Sequence, residues 1–412
     1  MYRDRLDMTS NKSILLTLIY DARYRSITFQ VLLLLGIVLG FWWVFDNTVT
    51  NLAAQDKGVG FSFLSQTSGF QIGQTLGTWM FDYEVGKSSY LDVYYIGIVN
   101  TFVVAFFGIF AATILGFTLG IMRLSQNFVF RAFSTVYVEI GRNIPLLVQL
   151  FFWYFAVLRS LPSRREKVEL IPDVMGVNIT GLYVPRAMPE DGFALTLYAV
   201  IIAFIITYFT SRWAKKRQQD TGKIFPMFWA GVGIIIGLPL LVFLATGSPL
   251  TWDYPVFKET GPLLKRGYQA ENGMLVIPEM LAVWFALSVY TAAFIAEIVR
   301  AGIVAVPKGQ TEASSALGIK KNHALRLVII PQAMRIIIPP LTSQYLNLTK
   351  NSSLAVAIAY PELVSVFAGT ALNQVGREIE MIFMTMAVYL TFSIVTAIFM
   401  NWFNARVKLV ER

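Results

Sequence analysis

The sequence predicts an all-α membrane protein with eight transmembrane helices. Of its 412 residues, 56% are apolar and only 14% are charged, whereas about a quarter of the residues in an average soluble domain are charged. A helix needs about 20 apolar residues to cross the hydrocarbon layer. Eight such runs occur, at 27–45, 95–121, 136–158, 193–210, 224–246, 278–299, 336–360 and 381–403. Strands of a membrane barrel would instead alternate apolar and polar residues over about ten positions.

The distribution of basic residues sets the expected topology. The chain carries 34 Lys and Arg against 25 Asp and Glu, for a net charge of +9. If the N-terminus is cytoplasmic, 22 of the Lys and Arg residues fall on the cytoplasmic side and 11 on the outer side. Cytoplasmic segments of membrane proteins carry such an excess. We therefore expect a multi-pass membrane protein with both termini in the cytoplasm, and no nucleic-acid partner.

The connections between the spans differ in length. Three external segments, 46–94, 159–192 and 247–277, are rich in polar and turn-forming residues, and this topology places them in the periplasm. The internal connections are short, except for 300–335. That segment interrupts an otherwise apolar chain, which makes it the first candidate for a functional site.

The internal segment 300–335 predicts two short helices. Pro307 has a backbone angle suited to a first helical turn, and Gly318 stands where a helix end commonly needs a left-handed residue. A second short helix is expected from near Asn322 to Pro331. Both would lie nearly at right angles to the flanking spans and form a cytoplasmic knob, whose small side chains allow a partner to approach closely. The alternative is an amphipathic helix lying on lipid headgroups.

The sequence gives little support to catalytic or cofactor chemistry. Gly86-Lys87-Ser88 ends like a phosphate-binding loop, but position 81, where such a loop needs glycine, is Phe. There is no cysteine, and His323 is the only histidine, so neither a disulfide nor a thiolate metal site is expected. We expect no enzyme activity, no cofactor and no metal in this chain, although a multi-span membrane enzyme stays an alternative class.

The stretch EASSALGIKKNHALRLVIIPQAMRIIIPPL, from Glu312 onward, closely resembles the cytoplasmic signature loop of permease subunits in type I ABC importers. In that family a Glu-Ala-Ala segment and a glycine form the coupling helix, which inserts into a groove of an ATPase subunit. Glu312, Ala313 and Gly318 match this pattern, and Ser314 replaces the second alanine. The resemblance implies a type I permease core in which these four residues and Leu317 contact the ATPase.

Other stretches resemble the polar amino-acid branch of these permeases. They are NTFVVAFFG, EIGRNIPLLVQLFFWYF, SVYTAAFIAEIVRAGI and PELV, within 95–158 and 278–403. The extra first span, and two spans inserted between 159 and 277, are similar in layout to the longer permease chain of general L-amino-acid importers. The resulting division is 1–94 with the first span, 95–158 as the first part of the core, 159–277 as the insertion, and 278–412 as the second part, containing the coupling region 307–335.

The resemblance implies a function and a set of partners. It implies import of L-amino acids from periplasm to cytoplasm by alternating access across a bacterial inner (cytoplasmic) membrane, whose lipid surrounds the chain. The implied partners are a second permease, two ATPase subunits that bind ATP, and a periplasmic amino-acid-binding protein. A secondary, ion-coupled amino-acid transporter is the alternative. Many such transporters contain internal repeats, and no repeat is evident in this sequence.

Polar residues within the spans are candidates for the substrate pathway. Lys350 lies deep in the seventh predicted span and begins the stretch KNSSL, whose polar side chains compete for backbone hydrogen bonds and loosen a helix. An amino acid presents both a carboxylate and an ammonium group, so its pathway needs donors and acceptors. Our candidates are Asn143, Gln149, Tyr290, Thr291, Lys350, Asn351 and Ser352. The alternative is that these groups join one helix to another.

Two acid–base pairs occur at helical spacing near the predicted cytoplasmic boundary. They are Glu297 with Arg300, and Glu139 with Arg142, each separated by three residues. Residues at this spacing lie side by side on a helix. We expect both to form structural ion pairs rather than to contact a ligand.

Overall fold

The structure, a computed structural model, describes residues 22–54, 60–263, 266–269 and 271–407. The α-helices are α1 Ala22–Ala54, α2 Leu76–Met80, α3 Tyr90–Met122, α4 Phe128–Asn143, α5 Leu146–Phe151, α6 Phe193–Thr221, α7 Met227–Ala245, α8 Pro278–Val304, α9 Lys308–Ala316, α10 Lys321–Ala324, α11 Ile330–Asn351, α12 Leu372–Val375 and α13 Glu378–Val407. Short 3-10 turns occupy Ser62–Ser65, Leu158–Ser160 and Ser352–Ile358, and π-helical turns occupy Phe152–Val157, Leu325–Ile329 and Val364–Ala371.

Within these described residues, seven helices are long and apolar enough to cross a membrane. They are Arg25–Asn51, Tyr90–Met122, Phe193–Thr221, Met227–Ala245, Pro278–Val304, Lys321–Ile358 and Glu378–Arg406. A bent helix pair supplies an eighth span if it is counted as one. The helical fold class is therefore confirmed, with seven or eight candidate spans where the sequence predicted eight.

The third predicted span is wrong as a single helix over 136–158. The chain instead forms the two helical segments Phe128–Asn143 and Leu146–Ser160, and the second is bent by 107° from the direction of the first. Ile144 at the break is extended, with φ −93° and ψ 126°, because a residue that precedes proline is driven away from helical angles. Pro145 also has no N–H to continue the helical hydrogen bonds.

Helices α3 and α8 form the centre of the bundle and run in the same direction. A Cβ atom added at Gly116 would lie 2.5 Å from Cβ of Ile295, and one added at Gly120 would lie 2.7 Å from the carbonyl oxygen of Ala296. These glycines therefore let two backbones approach as closely as small residues permit in membrane helices. Helix α11 packs against α8 in turn, where a Cβ at Gly302 would lie 2.4 Å from Cγ1 of Ile337.

Helices α1, α6 and α7 lie outside this centre. None of the most apolar 18-residue stretch of α1 is buried, and only 11% of the corresponding stretches of α6, α7 and α13 is buried, against 61% in α8. Helix α13 nevertheless packs against α11 and the turn Val364–Ala371. Helices α6 and α7 pack mainly against each other. These are the helices that the sequence analysis assigned to the extra first span and the insertion.

The two predicted loops 159–192 and 247–277 contain strands. The strands are β1 Glu169–Ile171, β2 Met175–Asn178, β3 Gly181–Val184, β4 Arg186–Pro189, β5 Leu250–Asp253, β6 Phe257–Lys258, β7 Gly267–Tyr268 and β8 Met274–Val276. They form an antiparallel sheet in the order β1-β2-β3-β8 and the pairs β4-β5 and β6-β7. Segments of two to four residues are too short to show a strand period in the sequence. We call this end of the bundle, where α3 and α8 begin, the strand end.

The second predicted helix of the 300–335 segment is not a separate element. Helix α10 continues through the π-helical turn Leu325–Ile329 into α11, so one span runs over Lys321–Ile358. Pro331 lies inside this span, just after the π-helical turn, and local adjustments of this kind accommodate a proline in a membrane helix. The expectation that the helix stops at Pro331 was therefore wrong.

Candidate functional site: an exposed knob fixed to the central helices

Helix α9 ends in the left-handed turn that the sequence predicted. Gly318 has φ +71°, and its N–H donates to the carbonyl of Ser315 at 3.0 Å. The N–H of Ile319 donates to the carbonyl of Ser314, also at 3.0 Å. This pair of bonds closes a helix C-terminus and reverses the chain. Of the two short helices predicted in this segment, only α9 has the expected bounds. From here on, the knob means residues 307–324, which comprise α9 and the turn to α10.

The knob exposes most of the residues predicted to contact an ATPase. Glu312, Ala313 and Gly318 are exposed, and Leu317 keeps 78% of its surface accessible. Ser314 is different, because it is buried and its hydroxyl donates to the carbonyl of Gln310 at 2.7 Å. The structure therefore turns Ser314 toward the protein, where it supports α9 from inside, and leaves the other four available on the surface.

The knob is joined to the helices on both sides. Gln332 on α11 donates through Nε2 to Oε1 of Gln310 on α9 at 3.1 Å. Val306, between α8 and α9, is buried. Gly302 and Ile337 hold α8 against α11 immediately beside the knob.

A cluster of ion pairs lies near the knob. The spacing of residues in the sequence predicted only one of these pairs, Glu297 with Arg300. The expected pair is confirmed, with Nη2 of Arg300 2.6 Å from Oε1 of Glu297. Arg123, which follows α3, forms a close ion pair with the same Glu297 and lies 3.7 Å from Glu139 on α4. The cluster thus connects α3, α4 and α8. Arg123 carries no local partner in sequence, so only the fold could show its role.

The predicted pair of Glu139 with Arg142 is wrong. The carboxylate of Glu139 faces Arg123, while the guanidinium of Arg142 lies over the ring of Phe294, 5.7 Å from its centroid. A cation above an aromatic face is attracted by the ring electrons. Tertiary packing of α4 against α8 has overridden the local spacing.

Gln149 bridges the break between α4 and α5. Its side-chain amide is buried and donates to the carbonyls of Gly141 and Ile144, each at 3.0 Å. It thereby satisfies carbonyl groups that the broken helix leaves without partners. Gln149 also lines an apolar cavity of about 400 Å³ beside Val289 of α8.

The other six candidates for the substrate pathway lie outside that cavity. Asn143 is exposed and donates to the carbonyl of Glu139, while Thr291 is buried within α8. Tyr290 is half-buried against Phe294. The structure thus does not bring the seven residues together in one cavity of this chain.

The KNSSL stretch loosens the helix as expected. The α-helix ends at Asn351 and a 3-10 turn continues to Ile358. The hydroxyl of Ser352 donates to the carbonyl of Thr349 at 2.7 Å, and that of Ser353 donates to the carbonyl of Lys350 at 2.8 Å. Lys350 is exposed, Asn351 is half-buried and Ser352 is buried.

A buried polar network around Glu362 has no counterpart in the sequence analysis. Glu362 is fully buried, and its carboxylate accepts from the N–H groups of Val364 and Ser365 at 2.9 and 2.7 Å and from the hydroxyl of Tyr389 at 2.9 Å. A buried carboxylate is tolerated when its oxygens are satisfied in this way. Glu362 therefore caps the π-helical turn Val364–Ala371 and fastens it to α13.

The same segment is fastened to α3 by two neighbouring side chains. Asn100 donates to the carbonyl of Pro361 at 2.7 Å and accepts from the N–H of Gly77 at 3.1 Å. Thr101 accepts from the N–H of Leu363 at 3.1 Å. The Pro-Glu-Leu-Val stretch drew notice in the sequence only by resemblance, because nothing local shows that its acid is buried.

Comparison with known proteins gives the family. The model of the family described as the inner membrane component of binding-protein-dependent transport systems matches residues 107–409. The general L-amino acid transport system permease protein AapQ of Rhizobium johnstonii is 50% identical over 95% of this chain and 94% of its own length. The putative amino-acid ABC transporter permease protein YhdX of Escherichia coli strain K12 is 47% identical over 94% of this chain and 95% of its own length.

A solved structure aligns over much of the chain. It is that of an amino acid ABC transporter with histidines, at 19% identity and a TM-score of 0.44 over 77% of this chain and 95% of the other. The family match and the two close relatives decide the assignment: this chain belongs to the inner membrane components of binding-protein-dependent transport systems and is a multi-pass permease of the ABC amino-acid transporter class.

Proposed function

We propose that this chain is the permease subunit through which an ATP-driven importer moves L-amino acids from periplasm to cytoplasm by alternating access. The structural observation that supports this most is the knob, which exposes Glu312 and Leu317 while α9 is fixed between α8 and α11. The similarity to a general L-amino acid permease over nearly the whole chain supports the substrate class.

The coupling works through rigid contacts. Spans are stiff because every backbone group in lipid must be paired within the helix. A partner that moves the knob moves α8 and α11 together, since Gly302 and Ile337 leave no space between them. The ion cluster of Arg123 and Glu297 extends the same movement to α3 and α4. The central helices therefore change position as a unit and expose the pathway to one side at a time.

The proposal includes partners that this chain does not itself contain. They are a second permease, two ATPase subunits and a periplasmic amino-acid-binding protein. ATP is bound by the ATPase subunits, and this chain holds no cofactor of its own. Both termini and the knob face the cytoplasm and the strand end faces the periplasm, in agreement with the excess of Lys and Arg on the cytoplasmic side.

The substrate pathway remains part of the proposal. Its residues are Asn143, Gln149, Tyr290, Thr291, Lys350, Asn351 and Ser352. The exposed ammonium of Lys350 beside a 3-10 turn is suited to a carboxylate that passes between this chain and the second permease. Uptake assays of Lys350→Met and Gln149→Ala test it, and normal transport by both variants would remove this pathway.

The knob is tested by uptake and ATP hydrolysis in proteoliposomes that contain the assembled complex. We expect Glu312→Ala combined with Leu317→Ala to lower substrate-stimulated ATP hydrolysis and amino-acid uptake at least tenfold, because both side chains are lost from the contact. Glu190→Ala is the matched control, since Glu190 is also an exposed acid but lies at the strand end. Unchanged uptake and hydrolysis in the double variant, with assembly intact, would refute the role of the knob.

Copurification separates this proposal from the secondary transporter. Membership in a binding-protein-dependent family already disfavours ion-coupled transport by this chain alone. Extraction of the tagged chain from its native membrane should bring an ATPase and a second permease with it. Uptake by the chain alone, driven by an ion gradient without ATP, would overturn the proposal.

A further inference from the structure

Two cavities of opposite character adjoin at the strand end. One, of about 380 Å³, lies between the segment 71–85 and the strand β8. The other, of about 360 Å³, lies between α3 and the first turns of α8. They share a wall formed by Gln74, Thr75, Met274 and Leu275. Both volumes fall within the range of small-molecule sites, roughly 300–1,000 Å³.

The first cavity, which we call the polar cavity, is lined by groups of both charges. Arg186 pairs with Asp253 at 2.6 Å, but its Nε is buried without a hydrogen-bond partner among the described residues. Asp82, also in the lining, is exposed and has no ion pair or hydrogen bond to the part of the chain that the structure describes. Glu84 also lines the cavity, but it pairs with Lys87. The free carboxylate of Asp82 and the unused N–H of Arg186 suit a group that carries a positive and a negative charge.

The second cavity, which we call the apolar cavity, is lined chiefly by aliphatic and aromatic side chains, among them Val103, Phe107 and Met280. Trp284 also lines it, and its Nε1 is buried without a hydrogen-bond partner among the described residues. A buried indole N–H usually finds an acceptor. An acceptor carried by a mostly apolar ligand would satisfy it.

The position of the two cavities selects the kind of ligand. Strand β8 ends at Val276 and the span α8 begins at Pro278, so the shared wall lies where the chain passes from water into the membrane. The polar cavity is on the aqueous side of this boundary, and the apolar cavity extends along the spans α3 and α8. A ligand that fills both must be polar and zwitterionic at one end and apolar at the other.

We infer that the two cavities together bind one phospholipid with an amine-bearing zwitterionic headgroup. Its ammonium faces Asp82, its phosphate faces the guanidinium of Arg186, and one acyl chain occupies the apolar cavity, with an ester carbonyl accepting from Nε1 of Trp284. The lipid would fasten the segment 71–85 to α8. A free amino acid shares the pair of charges but has no acyl chain, so it would leave the apolar cavity and Trp284 unsatisfied.

The test uses the purified permease complex, delipidated in detergent and titrated with chain-matched phosphatidylethanolamine, phosphatidylglycerol or phosphatidylcholine. Native mass spectrometry counts the lipids bound and gives their relative affinities. We expect one phosphatidylethanolamine per copy of this chain, preferred about tenfold over phosphatidylglycerol. Phosphatidylcholine should bind less tightly than phosphatidylethanolamine, because its ammonium has no N–H to donate to Asp82.

Two conservative variants assign the contacts. Asp82→Asn should reduce the preference for phosphatidylethanolamine over phosphatidylglycerol toward unity, and Asn tolerates the φ of +43° at this position. Trp284→Phe keeps an aromatic ring but removes the N–H, and it should weaken all three lipids severalfold. The matched controls are Asp191→Asn, an exposed acid, and Trp229→Phe, an exposed tryptophan on α7.

Three results would overturn the inference. One is an unchanged headgroup preference in Asp82→Asn, and another is unchanged lipid affinity in Trp284→Phe. The third is displacement of the lipid by a free zwitterionic amino acid at equal concentration, which would assign the polar cavity to amino acids. Because lipid binding is measured without transport, failure here is distinct from failure of the proposed permease function.

Discussion

Helix α8 and helix α7 both cross the membrane, yet they meet different surroundings. In α8 the buried positions are largely small residues, among them Ala286, Ser288, Thr291 and Ala292, and 61% of its most apolar window is buried. Helix α7 is the more apolar of the two, but only 11% of its most apolar 18-residue stretch is buried. The small residues of α8 thus lie at contacts with other helices, whereas most of the apolar surface of α7 is left for lipid or a partner.

Gly116→Leu tests this difference most strongly. A Cβ at Gly116 already meets Ile295 at 2.5 Å, so the larger side chain must push α3 away from α8. Overpacking usually costs about 1–3 kcal/mol, occasionally more, and we expect the high end or loss of folded protein. The measurement is thermal stability and folded yield by fluorescence-detected size-exclusion chromatography.

Gly233→Leu on α7 is the matched control, because no atom of the described residues lies within 4 Å of a Cβ at that glycine. The Gly233→Leu protein should keep the thermal stability and folded yield of the wild type. Equal losses in the two variants would show that the central and outer helices do not differ as described.

Arg123→Met should have the next largest effect. It leaves Glu297 and Glu139 without the cation that joins α3 to α4 and α8. Leaving a fully buried charge without a partner costs about 3–5 kcal/mol, and we expect about 1–2 kcal/mol here, because Glu297 keeps Arg300 as a partner and Glu139 is exposed to solvent. Chemical denaturation in detergent measures it.

Lys87→Met removes a cation from another close ion pair, that with Glu84, but both side chains there are largely exposed. Exposed pairs contribute little, so this variant should be as stable as the wild type. A comparable loss in Lys87→Met would contradict the importance given to burial.

Tyr389→Phe should have a smaller effect than Arg123→Met. It removes one of the three hydrogen bonds to the buried side chain of Glu362, and a hydrogen bond contributes about 0.5–1.5 kcal/mol to stability. We expect the lower end, because the two backbone donors remain. Thermal stability measures the loss, and Tyr198→Phe, at an exposed tyrosine of α6, is the control that should show none.

The smallest effect concerns the strand end and depends on pH. The N–H of Gly273, the side chain of Asn272 and then Arg186 hold the pKa of Asp253 below its usual 3.8. The folded state thus favours the charged carboxylate, so its contribution is present above pH 3.8 and is lost as the pH falls through the lowered pKa. Hydrogen exchange in β4 and β5, corrected for intrinsic rates, should rise at that acid edge.

Asp253→Asn should remove this dependence without changing exchange in α8. An unchanged acid response in the variant would assign the pH dependence to another group.

Features fixed by local chemistry could be predicted from the sequence. The left-handed Gly318, the loosened helix after Lys350 and the pair of Glu297 with Arg300 all depend on residues within a few positions of one another. The apolar runs predicted the spans for the same reason, since the length of a helix in lipid is set by bilayer thickness.

Features that depend on distant contacts could not be predicted. Arg123 meets Glu297 across 174 positions, and Asn100 meets Pro361 across 261. Local signals can also mislead: the spacing of Glu139 and Arg142 suggested a pair that packing against α8 prevents. The break at Ile144 has a local cause and could have been predicted from the sequence. Pro145 lies inside the predicted span, and a proline drives the residue before it away from helical angles.

The elbow between α4 and α5 converts the direction of a movement. The second arm is bent by 107° from the direction of the first. The side-chain amide of Gln149 braces this corner by donating to the carbonyls of Gly141 and Ile144. If such a corner stays rigid, a displacement of one helix along its axis becomes a sideways displacement of the other. Tilting of α4 with the central helices would therefore move α5 sideways in the bilayer. Replacing Gln149 by a smaller residue would remove the hydrogen bonds that fix the angle between the two helices.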